Sequence, residues 1–145
     1  MEPKAFLDLA ANLKDGNNEA SWRTSVSRSY YALFNWAAQF IRQNTPVVLS
    51  RDAKVHEDIY YYLNNCGVED VKDVASSLNY LRDIRNDADY KLDSDRFDGN
   101  CANLAFIQAR NAIKEFEKAA GNAKGRQTII EGIKSYNSKL QRPTA

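Results

Sequence analysis

Apolar residues recur at three- and four-residue steps along almost the whole chain, and no segment sustains two-residue alternation. The pattern therefore predicts helices and no sheet. Pro3 suits a first helical turn, and Phe6, Leu7, Leu9, Ala10 and Leu13 give a short first helix its stripe. That helix should stop at DGNN, where Gly16 can take the left-handed backbone that ends helices. A second helix, about Glu19 to Asn44, repeats Trp22, Val26, Tyr30, Leu33, Ala37 and Phe40. Tyr31, Phe34, Ala38 and Ile41 widen its stripe into a face broad enough for two neighbours. Pro46 breaks the run, and Ser50 or Asp52 can cap a third helix, about Asp52 to Asn65, which ends at Cys66-Gly67. The fourth, Val71 to Leu92, carries Val71, Val74, Leu78, Leu81, Ile84, Ala88 and Leu92. The fifth runs from about Cys101 to Ala120. A weaker last helix, about Arg126 to Leu140, could lie on the bundle or reach a neighbouring subunit. The expectation is an all-α protein: an antiparallel up-and-down bundle of about five helices over 1–122, with an additional C-terminal helix and tail over 123–145.

Set into the fourth helix is a polar cluster that a plain core helix does not require: Arg82, Arg85, Asn86, Asp87, Asp89 and Tyr90. Arg82, Arg85, Asn86 and Asp89 are linked by steps of three and four, so they form a ridge along one face. Asp87 points elsewhere, and Tyr90 closes the ridge one turn past Asn86. Two readings fit. One is a solvated face with helix ion pairs; the other is a site where arginine meets phosphate. Arg28 sits amid the aromatics of the second helix, and a charge there must be paired or must open onto a cleft.

Composition narrows the chemistry. At 145 residues with 43% hydrophobic and 27% charged residues, the chain is one globular domain by length. No apolar run approaches the roughly 18 residues of a membrane span. The N-terminal MEPKAFLDLAANLKDG has early acids and no continuous apolar core, so the expected location is cytoplasmic. Cys66, Cys101 and the lone His56 follow no metal-ligand spacing. The acidic run Asp87, Asp89, Asp93, Asp95 and Asp98 lacks the glycine and terminal glutamate of a calcium loop. No metal and no cofactor is expected. The net charge of +1 hides eleven acids against five bases from Glu57 to Asp98, and seven bases against three acids from Asn111 onward. Arginine chemistry remains. In metal-free RNA cleavage a base deprotonates the 2′-hydroxyl, a cation stabilises the phosphorane, and an acid protonates the leaving oxygen. Arginine suits the second task and cannot be the base, because it stays protonated.

The segments SRSYYALFNWAAQFI and LNYLRDIRNDADY resemble those of the HEPN family of small helical bundles, in the branch with RxYYAxF on helix two and LRxxRNxADY on helix four. The likeness covers roughly Trp22 to Phe116. His56, in KVHEDI, stands where members of this branch often carry a histidine. The resemblance implies a homodimer whose fourth helices face each other across a cleft. It also implies metal-independent endoribonuclease activity, a toxin or defence role, and a cognate nucleotidyltransferase of the MNT type or a larger defence protein as partner.

The family's catalytic signature is an arginine, four to six residues, then a histidine. Arg85 and Asn86 match its start. Tyr90, Lys91 and Leu92 occupy the positions allowed to the histidine. Tyrosine as a residue type, with a pKa of about 10, is a poor base at neutral pH, and losing the base removes a factor of about 10² to 10⁴ in rate. The expected catalytic set is Arg85, Tyr90 and His56. Arg85, Asn86, Arg82 and Arg28 are expected to hold RNA phosphate, with Asp89 and Tyr31 in support. The alternative is a catalytically degenerate dimer that binds RNA or nucleotide, or regulates a protein partner.

Overall fold

The computed structural model describes residues 1–140; the last five residues, including the Arg142 counted in the basic stretch, lie outside the described residues. The chain is all-helical: α1 (Lys4–Lys14), α2 (Glu19–Asn44), α3 (Val55–Asn64), α4 (Glu69–Tyr90), α5 (Gly99–Ala119) and α6 (Ala123–Lys139). No strand occurs among the described residues, and no helix is long and apolar enough to cross a membrane. The chain divides into two compact units. The first holds residues 1–36 and 77–112, and the second holds 37–76 and 113 onward.

In the first unit, α1 and the start of α2 meet α4 and α5 residues around Ala10, Val26, Tyr30, Leu33, Leu78, Leu81, Ala105 and Ala109, all at or below 2% exposure. Each fully buried aliphatic side chain contributes about 1.5–3 kcal/mol by leaving water. The helix starts are fixed by short polar side chains. Asn18 Oδ1 accepts from Ser21 N at 2.9 Å, and Asp98 Oδ1 accepts from Cys101 N at 2.8 Å. Each satisfies an N–H that has no partner within its helix. Gly16 does not adopt the left-handed backbone expected of it; Gly67 alone among the described glycines has a positive φ, at 82°. The α1–α2 turn is instead held by the Trp22 indole, whose Nε1 donates to Gly16 O at 2.8 Å. A Cβ at Gly16 would lie 2.8 Å from Ser21 Cβ, so lack of space explains the glycine there.

In the second unit, α3 and α6 pack together. Ile59, Leu63, Ile129 and Ile133 are fully buried, and Tyr62 donates to Asn137 Oδ1 at 2.6 Å. A Cβ at Gly132 would overlap the Cys66 carbonyl, so only glycine lets the two backbones approach this closely. The last helix therefore docks in its own chain. The cap expected from Ser50 takes a different form: its N–H and Oγ both bond the buried Asp58 carboxylate, at 3.2 and 2.6 Å. Asp52 accepts from Lys54 N at 3.0 Å, in the turn before α3.

Candidate anion-binding site

The site lies in the first unit, on α2 and α4. Arg85 occupies a core position of α4 between Leu81 and Ala88, and is only 7% exposed. Its guanidinium carbon sits 5.2 Å from the Tyr30 ring centroid and 5.3 Å from that of Tyr31. The two rings meet edge to face at 5.1 Å. These neighbours, i and i+1 on α2, explain why a cation is tolerated so deep: aromatic faces carry negative potential. Its nearest carboxylate is Asp89, at 3.9 Å from Nη1. That is a loose contact at the limit of an ion pair and beyond hydrogen-bonding distance.

Two further guanidinium groups join it. Arg28 stacks 5.1 Å from Tyr31 and 5.2 Å from Phe6. Its Nη2 donates to Ser27 Oγ at 3.4 Å, and Ser27 donates to Asp89 Oδ2 at 3.3 Å. A polar chain thus runs Arg28–Ser27–Asp89–Arg85. Arg82, half-buried one turn before Arg85 on α4, acts with Arg85 on the Tyr30 hydroxyl. Burial pushes that hydroxyl's pKa up, although the fields of Arg85 and Arg82 pull it down. Arg28 and Arg85 thus meet at one carboxylate with Arg82 one turn away, and the buried Nε of each of the three has no hydrogen-bond partner, as is also true of Arg23 and Arg110. For scale, two unit charges about 8 Å apart at an effective dielectric of about 20 repel by about 2 kcal/mol. An anion is the ligand that relieves such a cluster.

The structure brings together Arg28, Tyr31, Arg82, Arg85 and Asp89 of the expected set, with Asn86 half-buried on the same ridge. Tyr90, the last residue of α4, is 74% exposed and takes no part in the polar chain. His56 belongs to α3, in the second unit. Ser27 and Tyr30 were not foreseen. Their sequence signal is SVSRSYY, in which Ser25, Ser27 and Ser29 all prove buried on a helix otherwise rich in large apolar groups.

Arg23 is the other unforeseen residue. It is 7% exposed, and its two terminal nitrogens donate to the carbonyls of Asp87, Ala88, Lys91, Leu92 and Ser94, at 2.9–3.4 Å. The last carbonyls of a helix lack partners within it, and a cation complements their partial negative charge. Arg23 therefore closes α4 at Tyr90, two residues before the expected end at Leu92. It also fixes the turn that follows. Its partners lie 64–71 residues away along the chain, so no local pattern announces the clamp.

The chain is 33% identical over 107 residues to an uncharacterized protein of Methanocaldococcus jannaschii, a match covering 63% of this chain and 64% of that one. The chain thus spans somewhat under two thirds of that relative's length. No protein-family model and no solved structure matches it.

Proposed function

We propose that the chain is a HEPN-like helical protein of a toxin–antitoxin or defence module that works as a homodimer and engages RNA phosphate through Arg28, Arg82 and Arg85. One observation carries this reading: Arg28 and Arg85 converge on a single carboxylate, Asp89, through Ser27 and a loose 3.9 Å contact, with Arg82 one turn before Arg85 on the same helix. Arginine forks match phosphate oxygens bidentately, and the Tyr31 ring holds the Arg28 and Arg85 guanidinium groups beside one another. The two family-like segments meet at this cluster, since Arg28, Tyr30 and Tyr31 come from the first and Arg82, Arg85 and Asp89 from the second.

Cleavage needs more than a cation. The polar chain Arg28–Ser27–Asp89–Arg85 contains no histidine, and burial moves the Tyr30 hydroxyl away from the range of a useful base. Asp89 is the remaining candidate within the polar chain. The site therefore favours binding of RNA over its hydrolysis. Such a binding subunit suits a module whose second protein, a small nucleotidyltransferase or a larger defence protein, supplies the reaction.

RNA binding and metal-free cleavage should be measured side by side on wild type and Arg85→Ala. The expected result is salt-dependent binding, weakened by about tenfold or more in the variant, with the RNA left intact. Cleavage by wild type that Arg85→Ala abolishes would replace the binding reading with the endoribonuclease. If wild type neither binds nor cuts RNA, the RNA reading fails altogether.

A further inference from the structure

Resting on the RNA-phosphate reading of this site, we infer that it takes a phosphomonoester dianion, such as a phosphorylated RNA end or a mononucleotide, in preference to an internal phosphodiester. The first argument is charge. Arg28 and Arg85 meet at Asp89, the one carboxylate of the polar chain, and Arg82 stands one turn before Arg85 on α4, so these four side chains carry two positive charges in excess. An internal phosphodiester brings one negative charge. A terminal phosphate brings about 1.5 to 2 at pH 7.

The second argument is layout. A groove that follows a strand spreads its cations along the backbone, because successive phosphates are a nucleotide apart. Here the cations are knotted together. Arg28 and Arg85 share the Tyr31 ring and are joined through Ser27 and Asp89, while Arg82 lies one turn before Arg85 on α4, near enough for its field to reach the Tyr30 hydroxyl that Arg85 bonds.

The third argument is what lies beyond the knot. In the same unit, α4 exposes Asp83, and the segment after it exposes Asp93, Asp95 and Asp98, while its two exposed cations, Lys91 and Arg96, are already paired with Asp87. A strand continuing over this net-acidic surface would meet repulsion. A strand that ends at the cluster avoids it.

The test is equilibrium binding of one short single-stranded RNA in three forms: 5′-phosphorylated, 3′-phosphorylated, and hydroxyl at both ends. Adenosine monophosphate serves as a fourth ligand. At least one phosphomonoester ligand should bind about tenfold or more tighter than the hydroxyl-ended RNA. Tight binding of the mononucleotide assigns the site to free nucleotide; a preference for a phosphorylated RNA alone assigns it to an RNA end. Either outcome supports the dianion. Arg82→Gln should erase the preference and Arg82→Lys should keep part of it, both with wild-type melting. Asp89→Asn should tighten phosphomonoester binding by removing the competing charge, a gain that a merely structural Asp89 would not produce. Equal binding of all three RNAs, each weakened by Arg82→Gln, would overturn the dianion inference while leaving RNA recognition intact. Failure of every ligand to bind would remove both.

Discussion

Arg23 and Arg85 are buried to the same degree, 7% exposed each, in the same unit, and their surroundings differ in kind. Arg23 spends its two terminal nitrogens on five carbonyls, keeps Glu19 at 3.6 Å from Nε, and stacks 4.5 Å over Phe97. Arg85 has two ring faces, the Tyr30 hydroxyl, and a carboxylate at 3.9 Å. Burying a cation is costly unless its donors are satisfied. For Arg23 the helix end satisfies both terminal nitrogens and leaves only Nε without a hydrogen bond, so the fold alone accounts for the residue. For Arg85 the satisfaction is partial. The difference separates an arginine that holds the fold together from one held ready for an anion.

The sharpest way to break this contrast is to remove each guanidinium in turn, keeping the side chain long and apolar. Arg23→Met leaves the last carbonyls of α4 and those of the following turn without donors. We expect a loss of about 3 kcal/mol or more, read as a fall in Tm of about 10 °C. Arg23→Lys should restore part of it, because an ammonium cannot span the same fork of acceptors. Melting of Arg23→Met within about 2 °C of wild type would show that the clamp carries little weight.

Arg85→Met comes next. It removes a buried charge whose satisfaction is incomplete, and methionine sulfur also packs well against aromatic rings. Stability should stay within about 1 kcal/mol of wild type, as for other buried charges replaced by apolar groups of similar size, while RNA binding is lost. If this variant instead melts as low as Arg23→Met, Arg85 belongs with the scaffold, and the site reading loses its centre.

The same contrast explains what the sequence made legible. The helices of the first unit follow from a 3.6-residue repeat, and the span of α2, Glu19–Asn44, matches its pattern at both ends. The Arg82–Arg85–Asp89 ridge was visible for the same reason, since steps of three and four place residues on one face. Partners across helices were not visible. Nothing local tells Arg23, which reaches the end of α4, from Arg28, which stacks on α1 and on its own helix. The end of α4 was misplaced at Leu92 because the apolar repeat runs on to a residue that is 75% exposed, while a distant side chain decides where the helix stops. Gly16 misled for a related reason. A glycine after a helix suggests left-handed backbone, whereas this one is needed because Ser21 stands too close for a Cβ.

The second unit supplies the smallest and most discriminating comparison, a cluster of the opposite sign. Carboxylate oxygens of Asp70 and Asp73 on α4 and Glu115 on α5 lie within 4.8 Å of one another. Burial raises the Glu115 pKa above its ordinary value, and the charges of Asp73 and Asp70 raise it further. A carboxyl whose folded pKa lies above its unfolded one stabilises the fold only below the unfolded value, and that contribution vanishes as pH rises through the folded pKa. At neutral pH the ionised Glu115 is therefore a small burden. Glu115→Gln should raise Tm slightly at pH 7, by under about 0.5 kcal/mol because solvent screens these acids, and should give no gain near pH 3. A gain of equal size at both pH values would mean that packing, not charge, is responsible. Here the two clusters part company. Acids crowded together shed their repulsion by taking up a proton, and guanidinium groups have no such recourse. For Arg28, Arg82 and Arg85, relief has to come from an anion brought by something else.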